Sequence, residues 1–133
     1  MTGIFFTNIL EQAMQHSPAF LALVNAAKAD IREIEIQGLK DLNTPYVLLD
    51  TREDHEWQAG HLPSAMHLSK GIIERDIEHT VQDKQQPIIL YCGGGFRSAL
   101  AAQSLQKMGY QQVYSLAGGY KAWCEAGLPL DKP

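Results

Sequence analysis

Cys92 follows the apolar run PIILY and precedes Gly93, Gly94, Gly95, Phe96, Arg97 and Ser98. A thiol attacks only as a thiolate, and a cysteine with an ordinary pKa of about 8.5 is scarcely ionised at neutral pH. Consecutive glycines can adopt backbone angles that turn N–H groups inward as a nest of donors. A helix starting near Ser98 would set its positive end behind the sulfur, and Arg97 adds a full charge. Each effect favours the thiolate over the thiol. A strand-end cysteine can also be a small buried hydrophobe, but that reading accounts for the thiol alone and not for the glycines and the arginine beside it.

Other chemistries for this loop fit less well. A phosphate-binding loop needs Gly-Lys-Ser/Thr, and no lysine follows these glycines. The dinucleotide motif fails because position 98 is serine rather than the third glycine. A papain-like enzyme needs a histidine base; His16, His55, His61, His67 and His79 show no telling spacing. A dithiol motif is missing too, since Cys124 lies far along the chain. A thiolate ionised by its surroundings needs no base. It suits sulfur or phosphoryl chemistry, where the incoming group is an anion that the nest also binds.

The elements that must position this loop alternate between strand and helix. Residues 8–29 read as helical, broken at HSPAF, where Ser17 can cap a new turn with Pro18 in its first position. REIEI reads as a half-buried strand, QGLKDLNTP as a short helix and turn, YVLLD as a buried strand and EDHEWQAG as a short helix. AMHLS, PIILY and QVYSL supply further strands. KGIIERDIEHTV, residues 98–108 and GYKAWCEAG supply helices. This alternation predicts an α/β layer structure with a mainly parallel sheet, and ligands bind beyond the carboxyl ends of such strands. The 133 residues suit one core, and a net charge of −4 speaks against a nucleic-acid partner. No apolar run reaches membrane-spanning length and the start has no basic leader, so a cytoplasmic protein with two reduced cysteines is expected.

The loop CGGGFRS resembles the active-site loop C-x-x-G-x-R-S of rhodanese-family sulfurtransferases. LLDTREDHEWQAGHLPSAMHL resembles the family's D-x-R … G-H-[IL]-P-G-A segment, and SLAGGYKAWCEAGLPL its C-terminal G-G-x-x-A-W-x-x-A-G-x-P segment. Ser64 stands where the family has glycine. The resemblance covers about residues 32–130 and implies a rhodanese-like three-layer fold over residues 31–133; it says nothing about residues 1–30, whose pattern reads as an N-terminal helical extension. It implies that Cys92 takes the sulfane sulfur of a small anionic donor, thiosulfate or a persulfide. The sulfur then passes to cyanide or a thiol, with a sulfur-relay protein as a further partner class. Residues 93–98 would bind substrate, and neither cofactor nor metal is expected.

Asp50, Arg52 and His61 read as supporting residues: Asp50 capping the next turn, Arg52 paired with Glu53 or Glu56, and His61 ordering its loop. Trp57, Trp123 and Cys124 read as packing, and Gly118 with Gly119 as a tight turn beside the active loop. Phe96 reads either as an apolar wall of the site or as plain packing. Two rival functions carry weight. Cysteine-dependent phosphatases and arsenate reductases share the fold but place one residue more between Cys and Arg than the four found here. Non-catalytic rhodanese-like modules bind partners, but many have lost the cysteine that this chain retains.

Overall fold

The computed structural model describes residues 16–133. The part of the expected N-terminal helix at residues 8–15 lies outside them. The most apolar runs become neighbouring strands. β2 (Val47–Asp50) and β4 (Ile88–Tyr91) pair in register, Val47 opposite Ile88 and Asp50 opposite Tyr91. β1 (Arg32–Ile34) and β5 (Val113–Leu116) extend the sheet on one side and β3 (Met66–His67) on the other. The order is β1-β5-β4-β2-β3, with every pairing parallel.

Side chains alternate across these strands with period two. Leu49, Ile88, Leu90 and Val113 face one layer, where Ile73 and Ile77 of α4 (Ile73–Thr80) meet Ala101, Ala102 and Leu105 of α5 (Phe96–Lys107). Leu48, Ile89, Tyr91 and Leu116 face the other. There Leu39 of α2 (Ile36–Lys40) and Tyr120 and Trp123 of α6 (Gly119–Glu125) cover them. The result is a three-layer α/β fold. α1 (Pro18–Asp30) adds a flank to α5, burying Val24 and Ala27 against Ala99, Phe96 and Leu100. Its start follows the sequence expectation: the Ser17 hydroxyl accepts the Phe20 N–H at 3.1 Å, with Pro18 opening the helix.

Two boundaries differ from the sequence reading. β1 stops at Ile34 and is largely exposed, because it is an edge strand paired only with β5; Ile36 already belongs to α2. α5 begins at Phe96, two residues before Ser98, because Gly95 turns the chain directly into the helix at a φ of 97°. α3 (Asp54–Ala59) follows β2, and a capping box between Glu53 and Glu56 fixes its start.

The strand order creates a crevice. From β2 the chain continues outward to β3, whereas from β4 it continues the opposite way to β5. The loops after β2 and β4 therefore diverge at their carboxyl ends, where open α/β sheets bind ligands.

Candidate active site

Cys92 leaves β4 at this crevice and is buried, with 1% of its surface exposed. Its approach is fixed from two sides. Thr51 donates both its N–H and its hydroxyl to the Tyr91 carbonyl, each at 2.9 Å. The first turn of α6 takes the next two carbonyls, Tyr120 N–H to Cys92 O at 2.8 Å and Lys121 N–H to Gly93 O at 3.0 Å. With these carbonyls engaged elsewhere, the sulfur meets donors. Gly95 N–H donates to Sγ at 3.1 Å, and the Ser98 hydroxyl lies 3.4 Å away. Ser98 is itself 2.8 Å from the hydroxyl of Ser115, buried on β5. When the sulfur is a thiolate it can only accept, so Ser98 donates to it and Ser115 donates to Ser98. The start of α5, with its free N–H groups and positive dipole end, closes the pocket.

Arg97 sits on the first turn of α5, across the crevice from α3. Its Nη1 and Nη2 donate to the two oxygens of Glu56 at 2.7 and 3.1 Å. The hydrogen bond from Arg97 pulls the Glu56 carboxyl down to about 2, and Glu56 in turn raises Arg97, with Cys92 adding to the effect. Glu56 Oε1 also accepts the Glu53 N–H at 3.0 Å, so the same carboxylate caps α3.

Of the expected supporting residues, Arg52 is arranged differently from the sequence reading. Arg52 does not pair with Glu53 or Glu56. It is buried against Asp50, with Nη2 to Oδ2 at 2.8 Å and Nε bonded to both oxygens, and it also donates to Gly60 O at 2.7 Å. Its guanidinium lies 4.0 Å from the centre of the Tyr120 ring. Asp50 does hold the following turn, accepting the Arg52 N–H at 2.8 Å. The pair thus joins β2 to the G-H loop and to α6. His61 orders its loop: Nδ1 is 3.0 Å from Leu62 O, its ring stacks 3.6 Å from Trp57, and its backbone pairs with Asp131.

Phe96 packs away from the crevice, edge-on to His16 and Phe20 and beneath Lys28 of α1. Cys124 is exposed rather than packed. Two of the three loop glycines differ from each other in the space around them. A Cβ on Gly93 would come within 3.0 Å of Arg97 Nη2, whereas one on exposed Gly94 would meet nothing within 4 Å. Thr51, Ser115 and the pairing of Glu56 with Arg97 escaped the sequence reading. Ser115, a polar residue inside the strand VYSL, was the one local signal available.

The pattern described as the rhodanese-like domain matches residues 35–126. The chain belongs to this family. A thiosulfate sulfurtransferase GlpE of Coxiella burnetii is 35% identical over 77 residues, covering 58% of this chain and 70% of that one. Among solved structures, a Rhodopseudomonas palustris protein described as a possible tyrosine phosphatase superposes with a TM-score of 0.78 at 27% identity, covering 87% of this chain and 96% of the other. An Escherichia coli rhodanese with anions superposes with a TM-score of 0.59 at 28% identity, covering 67% of this chain and all of the other. The chemistry of the chain lies within the sulfur-transfer and phosphatase range of this rhodanese family.

Proposed function

We propose that this protein is a sulfurtransferase in which Cys92 carries sulfane sulfur between an anionic donor and a thiol or cyanide acceptor. The Cys92 thiolate attacks the outer sulfur of the donor. With thiosulfate, the S–S bond of the donor breaks, sulfite leaves with the bonding pair, and Cys92 becomes a persulfide anion. An acceptor thiolate or cyanide then attacks the terminal sulfur, leaves as persulfide or thiocyanate, and restores the Cys92 thiolate. The two displacements balance without an external proton or electron, and they give ping-pong kinetics. Gly95 N–H, the Ser98 hydroxyl and the start of α5 stabilise the sulfur anion before and after each step. A reducing cytoplasmic setting, which keeps both cysteines as thiols, fits this role.

The observation that carries the reading is the Gly95 N–H on Cys92 Sγ at 3.1 Å, in a loop that closes after three glycines. Phosphatases of this fold place one residue more between Cys and Arg. The shorter loop favours a sulfur atom over a tetrahedral phosphate. The test is the intact mass of the protein after exposure to thiosulfate, cysteine persulfide and an aryl phosphate in turn. Wild type should gain one sulfur from a sulfane donor and Cys92→Ser none. Hydrolysis of the phosphate at a higher rate than sulfur loading would turn the assignment to a phosphatase.

A further inference from the structure

The mouth of the site carries a carboxylate. Both ends of the Arg97 fork are occupied by Glu56, and the pair lies against Gly93, with side chains 31% and 25% exposed. Glu56 is not free to swing aside, because the Glu53 N–H and the start of α3 hold it. Arg52, whose charge also acts on Glu56, is itself paired with buried Asp50. The charge of Arg97 is matched by Glu56, so neither guanidinium is unpaired.

This arrangement opposes one class of donor. Thiosulfate is a dianion whose three oxygens call for a free guanidinium fork. To find one here, it must displace Glu56 and then sit beside that carboxylate. An alkyl persulfide such as cysteine persulfide has a net charge of −1, with a negative sulfur and an ammonium that offsets its carboxylate, and it lacks the three-oxygen face of thiosulfate. The exposed, unobstructed side at Gly94 leaves room for the rest of such a molecule.

We propose that Glu56 sets donor selectivity by occupying Arg97, so that singly charged alkyl persulfides load Cys92 in preference to thiosulfate; the donor's S–S bond breaks, its outer sulfur joins Cys92, and the alkyl thiolate leaves with the bonding pair. The proposal rests on the sulfurtransferase reading and specifies its donor class. Glu56 acts through Arg97 and through its own charge, and takes no part in the displacement.

The experiment compares rates of Cys92 loading, followed by intact mass, with cysteine persulfide and with thiosulfate, in wild type and in Glu56→Gln. Glutamine keeps an oxygen for the Glu53 N–H but removes the charge. The ratio of thiosulfate to persulfide loading should rise at least about fivefold in the variant, the scale of one unit charge about 4 Å away even at the dielectric of water. Salt gives a second readout that a purely structural role would not move. Thiosulfate loading should hold steady or quicken with ionic strength in wild type and slow in the variant, whose mouth has become attractive to anions. An unchanged donor ratio in Glu56→Gln overturns the inference. So does a steep salt-dependent fall of thiosulfate loading in wild type, a measurement that stands even if the variant folds poorly. If neither donor loads wild-type Cys92, the sulfurtransferase reading itself falls.

Discussion

Gly119→Ala tests whether α6 holds the active loop in place. A Cβ at this position would overlap Cys92 O and lie 3.0 Å from Gly93 O, and the residue has a φ of 53°. Relief of the first contact needs a movement of nearly an ångström. If α6 retreats, the bonds from Tyr120 N–H and Lys121 N–H are lost, at about 1 kcal/mol each. The left-handed backbone adds about 1 kcal/mol for a residue with a side chain. The sum of about 3 kcal/mol corresponds to a fall in melting temperature on the order of 10 °C for a domain of this size. If the loop retreats instead, the Gly95 N–H loses its alignment with Cys92 Sγ, and a misplacement of that order slows sulfur loading by roughly tenfold to a hundredfold. Thermal melting and the rate of mass gain read the two responses. Gly94→Ala is the control for melting, since its Cβ would meet nothing within 4 Å. If Gly119→Ala melts within a degree or so of wild type and loads at the same rate, the proposed tie between α6 and the loop is wrong. Equal destabilisation by Gly94→Ala would show that the close contact is not the cause.

Three further outcomes are expected. Ser64, with a φ of 65°, holds a left-handed conformation where the family motif carries glycine, so Ser64→Gly should stabilise by about 0.5–1 kcal/mol; a lower melting temperature would refute the strain argument. Glu56 is held near 2 against an ordinary 4.5, so its ionised form stabilises the fold fully above about pH 5 and ceases to do so as pH falls from 4.5 through 2. The melting difference between wild type and Glu56→Gln should therefore be largest near neutrality and shrink in that acid window; a constant difference would show that the carboxylate charge is not what stabilises. We propose residues 1–30 as an extension to a domain spanning residues 31–133: their removal uncovers Phe96, Ala99 and Leu100 and should lower the melting temperature, and an unchanged melt would count against α1 as part of the folded core.

The parallel sheet was legible because its central strands are short apolar runs bounded by turn residues. The IILY of PIILY became a fully buried strand, and Cys92 followed from it to the sheet edge. Boundaries that depend on tertiary context were not legible. REIEI alternates as a half-buried strand should, but at the edge of the sheet only three residues find partners. The start of α5 was set two residues late, since a helix can begin directly after a glycine of positive φ without a polar cap. Cys124 followed a tryptophan and looked like packing, whereas α6 turns Tyr120 and Trp123 toward the sheet and leaves the thiol outside.

The ion pairs explain why the candidate site was harder to read than the fold. Arg52 has Glu53 and Glu56 close by in sequence, and Asp50 is just as near. Local spacing alone ranks no partner among the three. Burial decides it: Asp50 and Arg52 are enclosed together, and a buried charge left unpaired costs far more than an exposed one. Glu56 is then released for Arg97, a residue 41 positions away that β2–β4 pairing brings across the crevice. Neither side chain alone announces the contact, because it depends on two loops diverging from neighbouring strands. The motif therefore locates the sulfur and its donors, while the charge at the entrance is a property of the topology. What the loop after β2 presents to the arginine is accordingly a feature in which chains sharing the loop sequence CGGGFRS are free to differ.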